Sequence, residues 1–242
     1  MSYSYSWALS RFQEVLSAVK HNVATDVYEA RSLNLNSIKN QKKMLESVPH
    51  GSAIWQHTET YHIAMIYIER GKGQRFNRTL LDLIASGVDT DAKFKRAWLA
   101  KNKGNMGTFP TVKSSRTSQV RQSQASYILA RQSVPANPNS RIPGNLNVTH
   151  RTHLISAQTT GIESHKGLLI DFDGWLNSKP MNDYETEMLQ VTTKQDVIWT
   201  AFVARDRKGF LHFRYIMYNK HWQVISSQEW IDDRWTYEWR VD

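Results

Sequence analysis

The stretch VTHRTHLISAQTTG, residues 148–161, gathers His150, Arg151 and His153 just ahead of a glycine turn. In an extended segment alternate side chains share a face, so Arg151 and His153 point one way and His150 the other. A cation beside an imidazole favours its neutral form, which can accept a proton. A guanidinium fork also grips phosphate. Together they suit hydrolysis of a phosphodiester, one group holding the phosphate and the other activating water. Such a reaction needs charge neutralised on the leaving oxygen, commonly by a hard cation with oxygen ligands. Asn177 follows Trp175-Leu176, and Glu185 stands eight positions further on, inside the run YETE. Eight residues of continuous helix make a little over two turns, which puts both side chains on nearly the same side.

This set of residues resembles the DNA/RNA non-specific endonuclease family of the ββα-metal (His-Me finger) superfamily, which includes streptodornase-like and DNA-entry nucleases. The resemblance is carried by HRTHLIS, the turn at Gly161, the Leu168-Leu169 step, Asn177 and Tyr184-Glu185. It covers roughly residues 120–225 and is strongest over 148–188. It implies His153 as the general base and Asn177 as the only protein ligand of a Mg²⁺ ion, with Mn²⁺ as the substitute. It also implies Glu185 as the group orienting a water on that ion, and Arg151 as a phosphate contact. The products would carry a 5′-phosphate and a 3′-hydroxyl. The family signature reads Asp-Arg-Gly-His, so His150 stands here for the aspartate and Thr152 for the glycine. His165 and Gly167 lie where an asparagine often precedes the leucine step. Leu189 and Gln190 occupy the place of a further arginine, for which Arg141 or Lys194 is the available substitute.

These residues need a scaffold, and the composition permits one. A chain of 242 residues with 40% hydrophobic content, nine tryptophans and ten tyrosines can bury a sizeable core. The absence of cysteine excludes a disulfide framework, a thiol nucleophile and thiolate metal sites. No apolar run approaches a membrane span. The first twenty residues lack the basic-then-apolar order of a signal peptide. A bacterial or phage protein is expected, either cytoplasmic or exported without such a signal. The net charge of +9 favours a polyanionic partner, because neutralised phosphates release condensed counterions.

The expected fold is α+β: a mixed, mainly antiparallel sheet flanked by helices, with a ββα-metal finger and a helical N-terminal part. The division places a helical or mixed part at 1–105, packed on the same body, and the nuclease core at 106–242. Residues 6–48 read as helix with a break near 31–36, since Val15, Val19, Val23 and Val27 recur at four-residue steps. Residues 52–71, 123–132 and the segment opening at 148 read as strands, as do the alternating runs DVIWTAFVARD, GFLHFRYIMYN and HWQVISSQEWI. Short helices are expected at 78–87 and 89–101, and loops at 102–121 and 133–147. Pro180 suits the first turn of a helix capped by Ser178.

Each feature has a plainer reading. His153 also fits an edge strand, Asn177 a helix terminus and Glu185 a solvated helix face; the inference rests on the set. His57 and His62 face opposite ways if they share one strand, which argues for structural roles rather than a metal site. The C-terminal tryptophans fit a buried core better than stacking on bases. Lys113, Arg116, Arg121 and Arg141 would line a nucleic-acid groove, or simply form a solvated basic surface. The leading function is therefore a magnesium-dependent endonuclease of little sequence preference, acting on DNA, with RNA as a second substrate. The alternative is a catalytically weakened nuclease-like module that binds DNA or a protein partner. Residues 1–100 are either a docking element, as for an inhibitor protein, or a decoration on the same core.

Overall fold

The computed structural model describes residues 26–71, 126–133, 142, 146–160, 162 and 165–240. The helices expected at 78–87 and 89–101, the loop at 102–121 and most of the loop at 133–147 lie outside these residues.

A six-stranded sheet forms the centre, in the order β1-β2-β3-β7-β8-β9. Its strands are Val27–Glu29 (β1), Ala53–His57 (β2), Tyr61–Ile68 (β3), Val197–Arg205 (β7), Leu211–Tyr218 (β8) and Val224–Asp232 (β9). All neighbours are antiparallel except β1 and β2, which run parallel. Period-two alternation divides the side chains between two cores. On one face Trp55, Ala64, Ile66, Trp199, Phe213 and Tyr215 join the larger core. On the other, Ile54, Ile63, Met65 and Ile198 pack under helix α1, Ile38–Glu46, whose Met44 and Leu45 close over them together with Val48. Ser37 caps that helix by accepting from Asn40 N–H.

The expected helix through Val27 is corrected here: β1 occupies those positions. Ala53 N–H donates to Asp26 O and Ala30 N–H to Trp55 O, so the backbone is committed to the sheet. A valine every fourth residue fits a helix, yet β-branched residues fit a pleated, half-buried surface at least as well. Residues 6–25, where the same expectation applied, fall outside the described residues.

Two smaller sheets complete the body. Ile128–Ser133 (β4) pairs antiparallel with Trp235–Trp239 (β10), and Thr149–His153 (β5) pairs antiparallel with Leu169–Asp173 (β6). Between β5 and β6 lies the one-turn helix α2, Ala157–Thr160. After β6 the chain turns directly into a helical run over 174–192, α3. Trp230, Trp235 and Trp239 are partly buried against the larger core and Trp222 against the smaller one. Among the described residues no helix is long and apolar enough to cross a membrane.

The facing of His57 and His62 is also corrected. They lie on two strands, as cross-strand partners beside the 58–60 turn, with Nδ1 atoms 3.2 Å apart. His62 Nε2 sits 2.8 Å from Gly167 O, so it must carry the hydrogen and donate. His62 Nδ1 then accepts from His57. Burial, with His57 as a further cause, pushes the His62 pKa down to about 3, so this imidazole is neutral and structural.

Candidate functional site

Strand β5 and helix α3 meet along the segment 150–156. The strand ends at His153, after which Leu154 and Ile155 are both buried and break the alternation at a corner. That corner is held firmly. Leu154 N–H donates to Leu168 O, and the buried Tyr215 hydroxyl donates to Leu154 O. Ser156 N–H donates to the Glu185 carboxylate. His153, itself only 6% exposed, ends the strand just before this corner.

Helix α3 is set by its first turn. Asp173 Oδ1 accepts from Trp175 N–H at 2.7 Å and Leu176 N–H at 3.2 Å, so Asp173 is the cap. The expected start at Ser178 and Pro180 is therefore overturned: the helix begins at Gly174, and Pro180 lies inside it. The run passes through a wider π turn at Asn177–Met181 before resuming as Asn182–Thr192. A π turn accommodates Pro180, which lacks the N–H that an α-helix would use there. The wider turn also rotates less per residue. Eight α-helical residues overshoot two turns by about 80°, and the π turn takes up part of that excess. Asn177 and Glu185 accordingly both address the 150–156 segment, Asn177 at Thr152 and Glu185 at Ser156, with His153 between the two contacts.

Pleat alternation separates the remaining residues. Thr152 Oγ1 donates to Asn177 Oδ1 at 3.3 Å, and Asn177 Nδ2 lies 3.5 Å from His150 Nδ1. His150, Thr152 and Asn177 thus share one side of the hairpin. Arg151 takes the other side, where its Nε and Nη2 donate to Asp171 at 2.7 and 3.0 Å. Asp171 sits directly opposite on β6 and also accepts from Ala130 N–H. The same alternation sets His153 on the Arg151 side. The His150 ring rests against bare backbone: a Cβ on Gly174 would fall 2.8 Å from His150 Nε2 and 2.7 Å from Val148 O.

Desolvation raises the Glu185 pKa to about 8, while its hydrogen bond from Ser156 pulls the other way. Tyr215, buried beside it, is raised well above the ordinary phenol value, first by burial and then by the Glu185 charge. Asp232, close to the helix cap, accepts from Asp173 N–H and from the Tyr237 hydroxyl, and burial lifts its pKa to about 6. Arg234 bridges to Asp173 at 2.7 Å. Among the described residues no three His, Cys, Asp or Glu side chains converge as a metal cluster. Lys113, Arg116, Arg121 and Arg141 lie outside the described residues.

No family model, curated protein or solved structure matches this chain.

Of the expected site residues, Asn177 and Glu185 each contact the segment 150–156 that carries His153, at Thr152 and Ser156 respectively. His150 and Thr152, the departures from the family pattern, are the residues in contact with Asn177. Their shared strand parity was visible; the face that the helix covers was not. Asp173 was legible as a cap in the run DGWL, and Asp171 only once the β5–β6 register is known.

Proposed function

We propose that the protein is a magnesium-dependent, largely sequence-non-specific endonuclease that hydrolyses DNA, with RNA as a second substrate. The observation that carries this reading is the shared contact of Asn177 and Glu185 with the 150–156 segment, on either side of His153. The formal charge of +9 supports a polyanionic substrate. Asn177 presents its amide oxygen to the Thr152 hydroxyl and its amide nitrogen to the His150 imidazole, and a single amide oxygen fits one protein ligand to an ion keeping most of its waters. A bound Mg²⁺ would supply charge neutralisation at the leaving oxygen.

His153 acts as general base toward water, held in place by the pinned corner at 154–156. Glu185, in its ionised form, accepts a hydrogen bond from water near Asn177. Arg151 was expected to touch phosphate; with its Nε and Nη2 engaged by Asp171, it orients the hairpin first. Lys113, Arg116, Arg121 and Arg141 contact backbone phosphates without reading base edges.

One observation favours a second reading. His153 and Asn177 fall on opposite sides by alternation, and Arg151 is already paired. A nuclease-like module that binds DNA or a protein partner needs neither residue free. Plasmid digestion with Mg²⁺, Mn²⁺ or EDTA, alongside gel shift, separates the two. The nuclease reading expects metal-dependent cutting that falls about 10²–10⁴-fold in His153→Ala while DNA binding persists. Clean protein that shifts DNA but cuts with no divalent ion establishes the binding module instead.

A further inference from the structure

The geometry points to His150 as a second metal ligand beside Asn177, making a mixed nitrogen–oxygen site that favours first-row transition ions over Mg²⁺. This rests on the proposed metal role of Asn177 and adds a residue to it. His150 Nδ1 lies 3.5 Å from the Asn177 amide nitrogen, and Thr152 Oγ1 lies 3.3 Å from the amide oxygen. Turning that amide over would bring its oxygen to the imidazole and leave its nitrogen donating to the Thr152 hydroxyl. Neighbouring donors on one octahedral ion with bonds of about 2.1 Å stand about 3 Å apart. The pair is therefore close to chelating distance before any ion binds.

The ring is also held for this task. Gly174 Cα faces its Nε2 edge, and the Val148 carbonyl, which accepts from Gly174 N–H at 2.8 Å, closes the backbone behind it. That seating directs Nδ1 to Asn177. Any side chain at 174 would collide with fixed backbone, so it cannot be absorbed by a flexible neighbour. Oxygen donors alone suit Mg²⁺, whereas imidazole adds affinity for ions further along the Irving–Williams order, of which Co²⁺ is a convenient member.

The test is direct binding of Co²⁺ and of Mg²⁺ to the full chain by calorimetry, with the proton spectrum of the Co²⁺-loaded protein as a separate readout. The expected result is that His150→Ala weakens Co²⁺ about tenfold or more and changes Mg²⁺ by less than about threefold, since even outer-shell partners of a metal are worth that much. A hyperfine-shifted imidazole N–H resonance should appear in the wild type and vanish in the variant. His150→Gln, which keeps a polar side chain of similar reach, should behave as His150→Ala does and guards against misfolding. Equal losses for both ions, no loss, or a shifted resonance that survives in His150→Ala would overturn the proposal. Asn177→Ala separates the two layers. If it abolishes binding of both ions while His150→Ala alters neither, only the role of His150 falls. If it leaves both ions bound as before, the Asn177 site falls as well.

Discussion

The carboxyl of Glu185 is held by opposing forces, and they make a measurable prediction. Desolvation lifts its pKa from near 4.5 to about 8, against the pull of the Ser156 N–H. Below about pH 4.5 the folded and unfolded chains both carry this proton. As pH rises, the unfolded chain releases it first, so the group removes stability progressively between 4.5 and 8. In metal-free protein, Glu185→Gln stays neutral and escapes that loss. Thermal melting in EDTA should show the variant gaining on the wild type steadily from pH 5 to pH 8.5; a constant difference would mean that the carboxyl is solvated and ionised throughout. The eight-residue spacing of Asn177 and Glu185 was legible in the sequence because helical periodicity is local. The roles of His150 and Thr152 were not, because strand parity says which residues share a face but not what covers it.

Helix α3 depends on a departure from regular geometry. Its cap at Asp173 and its π turn over Asn177–Met181 fix the rotation at which Asn177 meets Thr152. The proline rule placed the helix start at Ser178 and Pro180, four to six residues late: Pro180 is tolerated at a first turn, but a π turn also frees it from an α-helical hydrogen bond. Local signals could not decide this, since the choice is made by Gly174 fitting against Val148 and His150. Replacing Pro180 restores a donor and lets the turn tighten toward α-helix. Pro180→Ala should therefore keep or raise the melting temperature, given that proline is the poorest helix former, while cleavage falls about tenfold or more as Asn177 rotates out of line with Glu185; a lost contact worth 1.4 kcal/mol is enough for that factor. Unchanged cleavage would show that the π turn does not set the site.

At the scale of the whole molecule, the site hairpin is fastened to a sheet whose strands come from both ends of the chain. β3 is in register with β7 over its full length although Ile68 and Val197 are far apart in sequence. The Gly-, Ser- and basic-rich stretch 102–121 reads either as a loop or as a boundary, and strands on either side of it share this one sheet; composition is a local property and strand adjacency is not. The fastening lies at the β2–β3 end. Gly167 packs so closely on Trp55 that a Cβ would fall 2.2 Å from the indole, and His62 Nε2 donates to Gly167 O at 2.8 Å. His62 is neutral in the fold, its pKa driven to about 3 by burial and by His57, whereas in the unfolded chain it titrates near 6.5. The unfolded state therefore binds this proton first as pH falls, and the stability that neutral His62 contributes is intact above 6.5 and lost on the way down to 3. His62→Gln retains a donor but does not titrate. It should be less stable than the wild type at pH 7, by about 1–3 kcal/mol for an imperfectly filled buried position, and the gap should narrow in urea unfolding at pH 5 and narrow further at pH 4. A gap that stays constant across this range would mean that the hairpin is not anchored through a neutral His62.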